Sequence, residues 1–125
     1  MHFLLLVKSP ESEVPPPPAL VEAMAKHAEE ARRAGTLLET GGLAPTRQGA
    51  RVQMRRGRVE VVDGPFTEAK EVIGSFALLE LPTHEAAVEA GRWLMRQFAE
   101  LMPGWEGEVE VRQIFRNAAD LPARG

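Results

Sequence analysis

The chain contains no cysteine. This absence excludes disulfides, thiolate catalysis, cysteine-ligated zinc and iron–sulfur clusters together. The sequence also lacks any run near the roughly 18 consecutive apolar residues that a membrane helix needs, and its opening apolar run is too short for the core of a signal peptide. These absences predict a cytoplasmic protein with no membrane as a partner.

Positive charge is not in excess either. The chain carries 15 Lys and Arg against 18 Asp and Glu, a formal net charge of -3. Proteins bind a phosphate backbone through a broad positive field, so nucleic acid is not an expected partner. What the chain does have, 44% hydrophobic and 26% charged residues over 125 positions, is typical of one globular domain.

The order of the periodic segments predicts an α+β fold. The apolar run within 2–8 is short and ends at Ser9-Pro10, which favours a central strand buried on both faces. Helical spacing of apolar residues predicts two helices, and alternating spacing predicts three further strands and a hairpin. We expect helices over 19–34 and 84–102, strands over 36–43, 72–81 and 105–115, and a hairpin around Gly57.

Without the hairpin, this order is βαββαβ, the ferredoxin-like arrangement in which two helices cover one face of a four-stranded antiparallel sheet. The other face would stay uncovered in a single chain, and a second copy would cover it. The alternation of Val109, Val111 and Phe115 suggests that these side chains lie on that face. The sequence therefore predicts a homodimer.

His27 is the leading candidate for chemistry. It follows Leu20 and Met24 at helical spacing, which places it on or beside the inward side of the first helix. Imidazole ionises near neutral pH and suits a general acid or base, although a histidine here could instead bond a backbone carbonyl at the edge of the core. His2 and His84 are expected to be solvated. Because the three histidines have no metal-ligand spacing and no Gly-rich phosphate loop exists, we expect neither a metal nor a cofactor.

The segment 63–71 combines a turn with a charge cluster. Asp63-Gly64-Pro65 has the composition of a rigid turn, so Asp63 is either a site residue or a structural one. Phe66 is expected to anchor the segment by packing. Weaker candidates for ligand binding share only a charge or a hydroxyl near this region: Lys8, Glu68, Lys70 and Ser75.

The hairpin carries four arginines, Arg51, Arg55, Arg56 and Arg58. They could form a phosphate-binding patch. Arginines near a hairpin tip are more often solvated, and both interpretations remain open at this stage.

The stretch Asp63-Gly64-Pro65-Phe66-Thr67-Glu68-Ala69-Lys70-Glu71 resembles the signature D-G-P-F-x-E-x-K-E of the DGPF branch of the YCII-related family. Similarity extends to Ala34-Gly35, Gly42-Leu43, Gly74-Ser75-Phe76 and the closing stretch 107–112. The resemblance implies a single domain over 1–116, and the residues that follow, 117–125, look like a loosely held tail. It also implies a dimeric α+β barrel of ferredoxin-like subunits, with a His27–Asp63 pair as the acid/base centre.

Two functions follow from these expectations. In the first, the homodimer binds or acts on a small polar or anionic metabolite between the helix with His27 and the loop with Asp63, and Lys8 or Lys70 holds the anion. In the second, the protein is a non-catalytic regulatory or protein-interaction module. The resemblance leaves this open, because some relatives are similar to proteins that are encoded with, or fused to, alternative sigma factors. Whether the chain is an enzyme is left open.

Overall fold

The computed structural model describes residues 1–121, and in this part of the chain it contains six strands and two helices. The strands are β1 (His2–Ser9), β2 (Leu37–Gly42), β3 (Ala50–Arg55), β4 (Arg58–Asp63), β5 (Val72–Glu80) and β6 (Glu108–Ile114). The helices are α1 (Pro18–Arg33) and α2 (His84–Leu101), and two single 3₁₀ turns cover Thr46–Gln48 and Ala118–Asp120. The tail expected over 117–125 includes the second of these turns, and its last four residues lie outside the described part.

The main sheet has four antiparallel strands in the order β2-β5-β1-β6, with β1 in the interior as expected. The remaining strands, β3 and β4, form a separate two-stranded sheet. Without that hairpin the chain order is βαββαβ, so the structure confirms the ferredoxin-like α+β fold with an inserted hairpin.

Local sequence signals set the helix ends. Pro18 occupies the first position of α1, where a missing N–H costs nothing. The hydroxyl of Thr83 caps α2 by accepting a hydrogen bond from the Ala86 N–H at 3.1 Å. Gly35 follows α1 with a φ of 79°, the left-handed conformation that ends many helices.

The core lies between the helices and one face of the sheet. Phe3, Leu5 and Ala87 are almost fully buried and pack together. A methyl group on Gly91 would lie 3.1 Å from Cγ1 of Val109, so this glycine allows α2 to approach β6 closely. The small core is consistent with a domain of this length.

The opposite face of the sheet is open, and this corrects one expectation. Leu4 and Leu6 are only half-buried, because no second layer within residues 1–121 covers them; β1 is therefore buried on one face and not on both. The strand alternates Phe3, Leu5 and Val7 toward the helices with the two leucines on the open face.

Val109 and Val111 were expected on the open face of the sheet, and this expectation is wrong. Both pack against the core beneath the helices, since they stand opposite Val7 and Leu5 across the β1–β6 ladder. Phe115 lies beyond the end of β6. The alternation in this strand was identified correctly, but it was assigned to the wrong side of the sheet.

Candidate functional site

A cavity of about 480 Å³ lies between α1, α2 and the helix-facing side of β1, β2 and β5. Several of its lining side chains are small, among them Ala28 and Ala31 of α1 and Ala77 of β5, and the cavity is partly open to solvent. Small-molecule sites enclose roughly 300 to 1,000 Å³, so this space has the size of a ligand pocket.

The cavity is mostly apolar and has four polar side chains at its edge. His27 and Arg32 come from α1, Thr40 from β2 and Ser75 from β5. Ser75 stands directly opposite Val7 in the sheet, so its hydroxyl points to the helix side. The lining can therefore hold an apolar body and offer a few hydrogen-bonding groups to a polar end.

The imidazole of His27 stacks on the indole of Trp93, with ring centroids 3.8 Å apart and an angle of 24° between the planes. Trp93 belongs to α2, so this pair joins the two helices at the cavity. His27 is exposed to solvent and also lines the cavity.

Asp63 is not part of this cavity. It is exposed at the end of β4, opposite Ala50. Among the described residues no hydrogen bond or ion pair joins Asp63 to His27. Of these two residues, His27 lines the cavity and Asp63 does not. The structure thus places apart the two residues that the resemblance pairs.

The residues after Asp63 anchor the hairpin to the rest of the chain. The N–H of Gly64 donates to the Gly49 carbonyl at 2.9 Å, and the N–H of Phe66 donates to the Thr46 hydroxyl at 3.1 Å. The peptide bond between Gly64 and Pro65 is cis. The same Thr46 hydroxyl donates to a carboxylate oxygen of Glu11 at 2.5 Å.

Arg51 joins β3 to this segment through two contacts. Its guanidinium lies 3.9 Å from the centre of the Phe66 ring and also forms an ion pair with Glu68. The pKa of Glu68 is lowered, first by its own backbone N–H and then by Arg51. The expected anchoring role of Phe66 agrees with these contacts, and Glu68 faces the hairpin and does not line the cavity.

Acid should weaken the link between Glu11 and Thr46. Hydrogen bonds from the Thr46 hydroxyl and then its N–H hold the pKa of Glu11 below its usual value of 4.5. A carboxylate with a lowered pKa in the folded state contributes stability above its unfolded pKa, and this contribution disappears as the pH falls through its folded pKa. The melting temperature of Glu11→Gln should therefore be lower than that of the parent chain near neutral pH. This difference in melting temperature should disappear below about pH 4.

The matched control is Glu13→Gln, because Glu13 lies in the same loop as Glu11, is exposed, and its ion pair with Arg47 is long, at 3.5 Å. Melting curves recorded between about pH 7 and about pH 3 distinguish the two variants. A difference for Glu11→Gln that persists in acid would mean that the carboxylate is not the stabilising group.

Lys8 lies on the open face of the sheet and is already paired. Its ammonium donates to Glu110 at 2.9 Å, and this hydrogen bond raises the pKa of Lys8. The same bond, followed by that from Arg112, lowers the pKa of Glu110. Lys70 is exposed in the loop between β4 and β5. Of the four weaker candidates, only Ser75 lines the cavity.

His2 is more constrained than expected. It is half-buried: its Nδ1 accepts a hydrogen bond from Nε of Arg116 at 2.7 Å, and its Nε2 lies 2.5 Å from a carboxylate oxygen of Glu80. An accepting imidazole nitrogen carries no hydrogen, so Nε2 is the donor to Glu80. The expectation of a solvated side chain is wrong for His2, whereas His84 is exposed.

Within residues 1–121, no three histidine, aspartate or glutamate side chains are grouped so that they could bind a metal ion. Neither helix of that part has the apolar length needed to cross a membrane.

Trp93 and Arg32 line the cavity and were not predicted to do so. Trp93 follows Ala90 by three residues, and Arg32 follows Ala28 by four, so helical spacing could have placed both beside the inward side chains. Their contact with the cavity depends on how far apart the helices lie, which periodicity does not give.

Comparison with known proteins gives the family of the chain. The comparison with curated proteins finds no match. A family model described as the YCII-related domain matches residues 1–117, nearly the whole chain. The chain therefore belongs to the YCII-related domain family.

Proposed function

We propose that this protein binds a small molecule between its two helices and its sheet. The supporting observation is the cavity of about 480 Å³ between the helices and the sheet, which has the size of a ligand pocket and is partly open to solvent. The molecule has an apolar body that fits against the alanine and leucine side chains. Its polar end lies near His27 and Arg32, the charged or ionisable groups at the edge.

An anionic polar end suits this edge best. A guanidinium can donate two parallel hydrogen bonds to a carboxylate or phosphate. Arg32 replaces Lys8 and Lys70 in this role, because neither lysine lines the cavity. The ligand class is thus an anion with a substantial apolar part, more apolar than the polar metabolite expected from the sequence.

If the bound molecule reacts, His27 is the proton donor or acceptor. An imidazole stacked on an indole keeps both ring nitrogens in the ring plane free for hydrogen bonds. Asp63 of the same subunit takes no part in this proposal. Pairing with His27 would require Asp63 to come from a second subunit.

We also propose that the protein is a homodimer that covers the open face of the sheet, which would complete an α+β barrel. Leu4, Leu6, Phe76 and Leu78 form the apolar centre of this face. Exposed apolar patches on a protein surface commonly mark contact sites.

Octanoate is a suitable first probe, because it joins a carboxylate to an apolar chain. At about ten times its dissociation constant it should raise the melting temperature by about 5 °C, since it binds only the folded state. Octanol, which lacks the charge, should raise it less. Arg32→Gln should reduce the response to octanoate toward the response to octanol.

Arg33→Gln is the matched control. Arg33 is adjacent, exposed and paired with Glu29 at 2.7 Å, and it does not line the cavity. Equal octanoate responses of the two variants would remove Arg32 from the site. No response of the parent chain to octanoate, to phenylacetate or to their neutral analogues would contradict binding of this ligand class.

A further inference from the structure

The hairpin arm, residues 50–63, has one face made of aliphatic side chains. In its ladder Val52 stands opposite Val61, and Met54 stands opposite Val59. Paired residues of an antiparallel ladder lie on the same face, so the four form one patch. Their exposed fractions are 69%, 65%, 67% and 63%, which means that the described part of the chain does not cover them.

The arm is a regular two-stranded ladder, so the exposure of its patch does not come from an irregular loop. Its base is held by the hydrogen bond from Gly64 to Gly49 and by the contacts of Arg51 with Phe66 and Glu68. These contacts lie at the base of the arm, and Arg51 is on the face opposite the patch, since neighbouring strand residues alternate in direction. The patch therefore lies on the side of the hairpin away from these contacts.

An isolated two-stranded hairpin is marginally stable in water and gains from a third layer. A stable interface buries about 800 Å² on each partner, which is more than four aliphatic side chains supply. In a two-fold dimer, however, every contact occurs twice, so two arms double the contribution of each patch. A two-fold dimer of this chain therefore buries two such patches, whereas a different protein bound to one chain buries one.

Charge also favours a second copy. The arm has four arginines against Glu60 and Asp63, a net charge of +2. The rest of the chain has 11 Lys and Arg against 16 Asp and Glu, a net charge of -5. Arg55, Arg56 and Arg58 are exposed at the tip, where they can meet an acidic surface.

We infer that the hairpin arm packs its aliphatic patch on a second copy of this chain, with its tip arginines facing acidic residues of that copy. The arm then forms a dimer contact and takes no part in ligand binding in the cavity. The inference assigns a specific element to the dimer contact, beyond the open sheet face.

Single introduced thiols test this contact, because the chain has no cysteine of its own. Val61→Cys places the thiol in the patch, and Glu60→Cys places it on the opposite face one residue away. At a concentration where the chain is dimeric, maleimide should alkylate the thiol of Val61→Cys about tenfold more slowly than that of Glu60→Cys. Dilution to monomer should remove this difference.

A second variant measures the strength of the contact. Met54→Lys with Val59→Glu replaces one aliphatic pair by a cross-strand ion pair, which keeps the hairpin folded. Its dimer dissociation constant, measured by sedimentation, should rise about 100-fold, about tenfold for each lost side chain. Gln53→Lys, which faces Glu60 on the other side of the arm, should leave the constant unchanged.

A dimer in which the thiol of Val61→Cys reacts as fast as that of Glu60→Cys would overturn the arm contact without affecting the sheet-face dimer. A parent chain that stays monomeric at about 100 μM would overturn both the arm contact and the sheet-face dimer. The patch would then be a contact site for a different protein. An unchanged dissociation constant for the double variant would also overturn the arm contact.

Discussion

Gly64→Ala should destabilise the protein by about 3 kcal/mol and release the hairpin arm from the domain. A Cβ built on Gly64 overlaps the carbonyl oxygen of Thr46, and it also approaches Arg47 N to 3.2 Å. Both atoms belong to the backbone, so no side-chain rotation relieves the overlap. Gly64 has no positive φ, and close approach is the reason that glycine is needed.

Gly74→Ala is the matched control. A methyl group there meets nothing within 4 Å, so the free energy of unfolding should change by no more than about 0.5 kcal/mol. Urea denaturation of both variants measures the difference, and hydrogen exchange of residues 50–63 tests whether the arm is released. Equal stabilities would mean that the segment around Gly64 does not adopt this close packing.

Ala28→Phe should have opposite effects on stability and binding. Ala28 lies on the inward side of α1 and lines the cavity. A phenyl ring there would fill empty space, and filling a cavity commonly stabilises a protein by about 1 kcal/mol. The same ring would occupy the ligand's volume, so octanoate should no longer raise the melting temperature.

Ala99→Phe provides the comparison, since Ala99 is exposed on α2 and does not line the cavity. It adds the same ring to a helix and should leave the octanoate response intact. A variant Ala28→Phe that is destabilised and still responds to octanoate would show that the space beside Ala28 is not the binding site.

The fold was largely predictable from the sequence because its signals are local. The apolar run in β1, the N-cap Thr83 and the C-terminal glycine at Gly35 each act within a few residues. The hairpin was predictable for the same reason: alternation on each side of Gly57 allows one pairing.

The assignment of faces was less predictable. Alternation in β6 separates Val109 and Val111 from Glu110, but it does not say which set faces the helices. That choice depends on the pairing of β6 with β1, a contact between residues about 100 positions apart. The dimer expectation consequently used side chains that belong to the core.

The cavity was predictable only in part. His27 was identified from its residue type and helical position, and it does line the cavity. Trp93 stacks on it from the other helix, and no periodic pattern in α1 could indicate that partner. The signature segment 63–71 drew attention to Asp63, whereas its neighbours mainly hold the hairpin arm in place.

Methyl-resolved NMR during a titration with octanoate tests binding in the cavity most directly. Leu5 lines the cavity, whereas Leu4 and Leu6, its neighbours in β1, lie on the other face of the sheet. We expect saturable shifts of the Leu5 methyl signals, with those of Leu4 and Leu6 nearly unchanged. Shifts of Leu4 and Leu6 without shifts of Leu5 would place the ligand on the open face and contradict a binding site between the helices and the sheet.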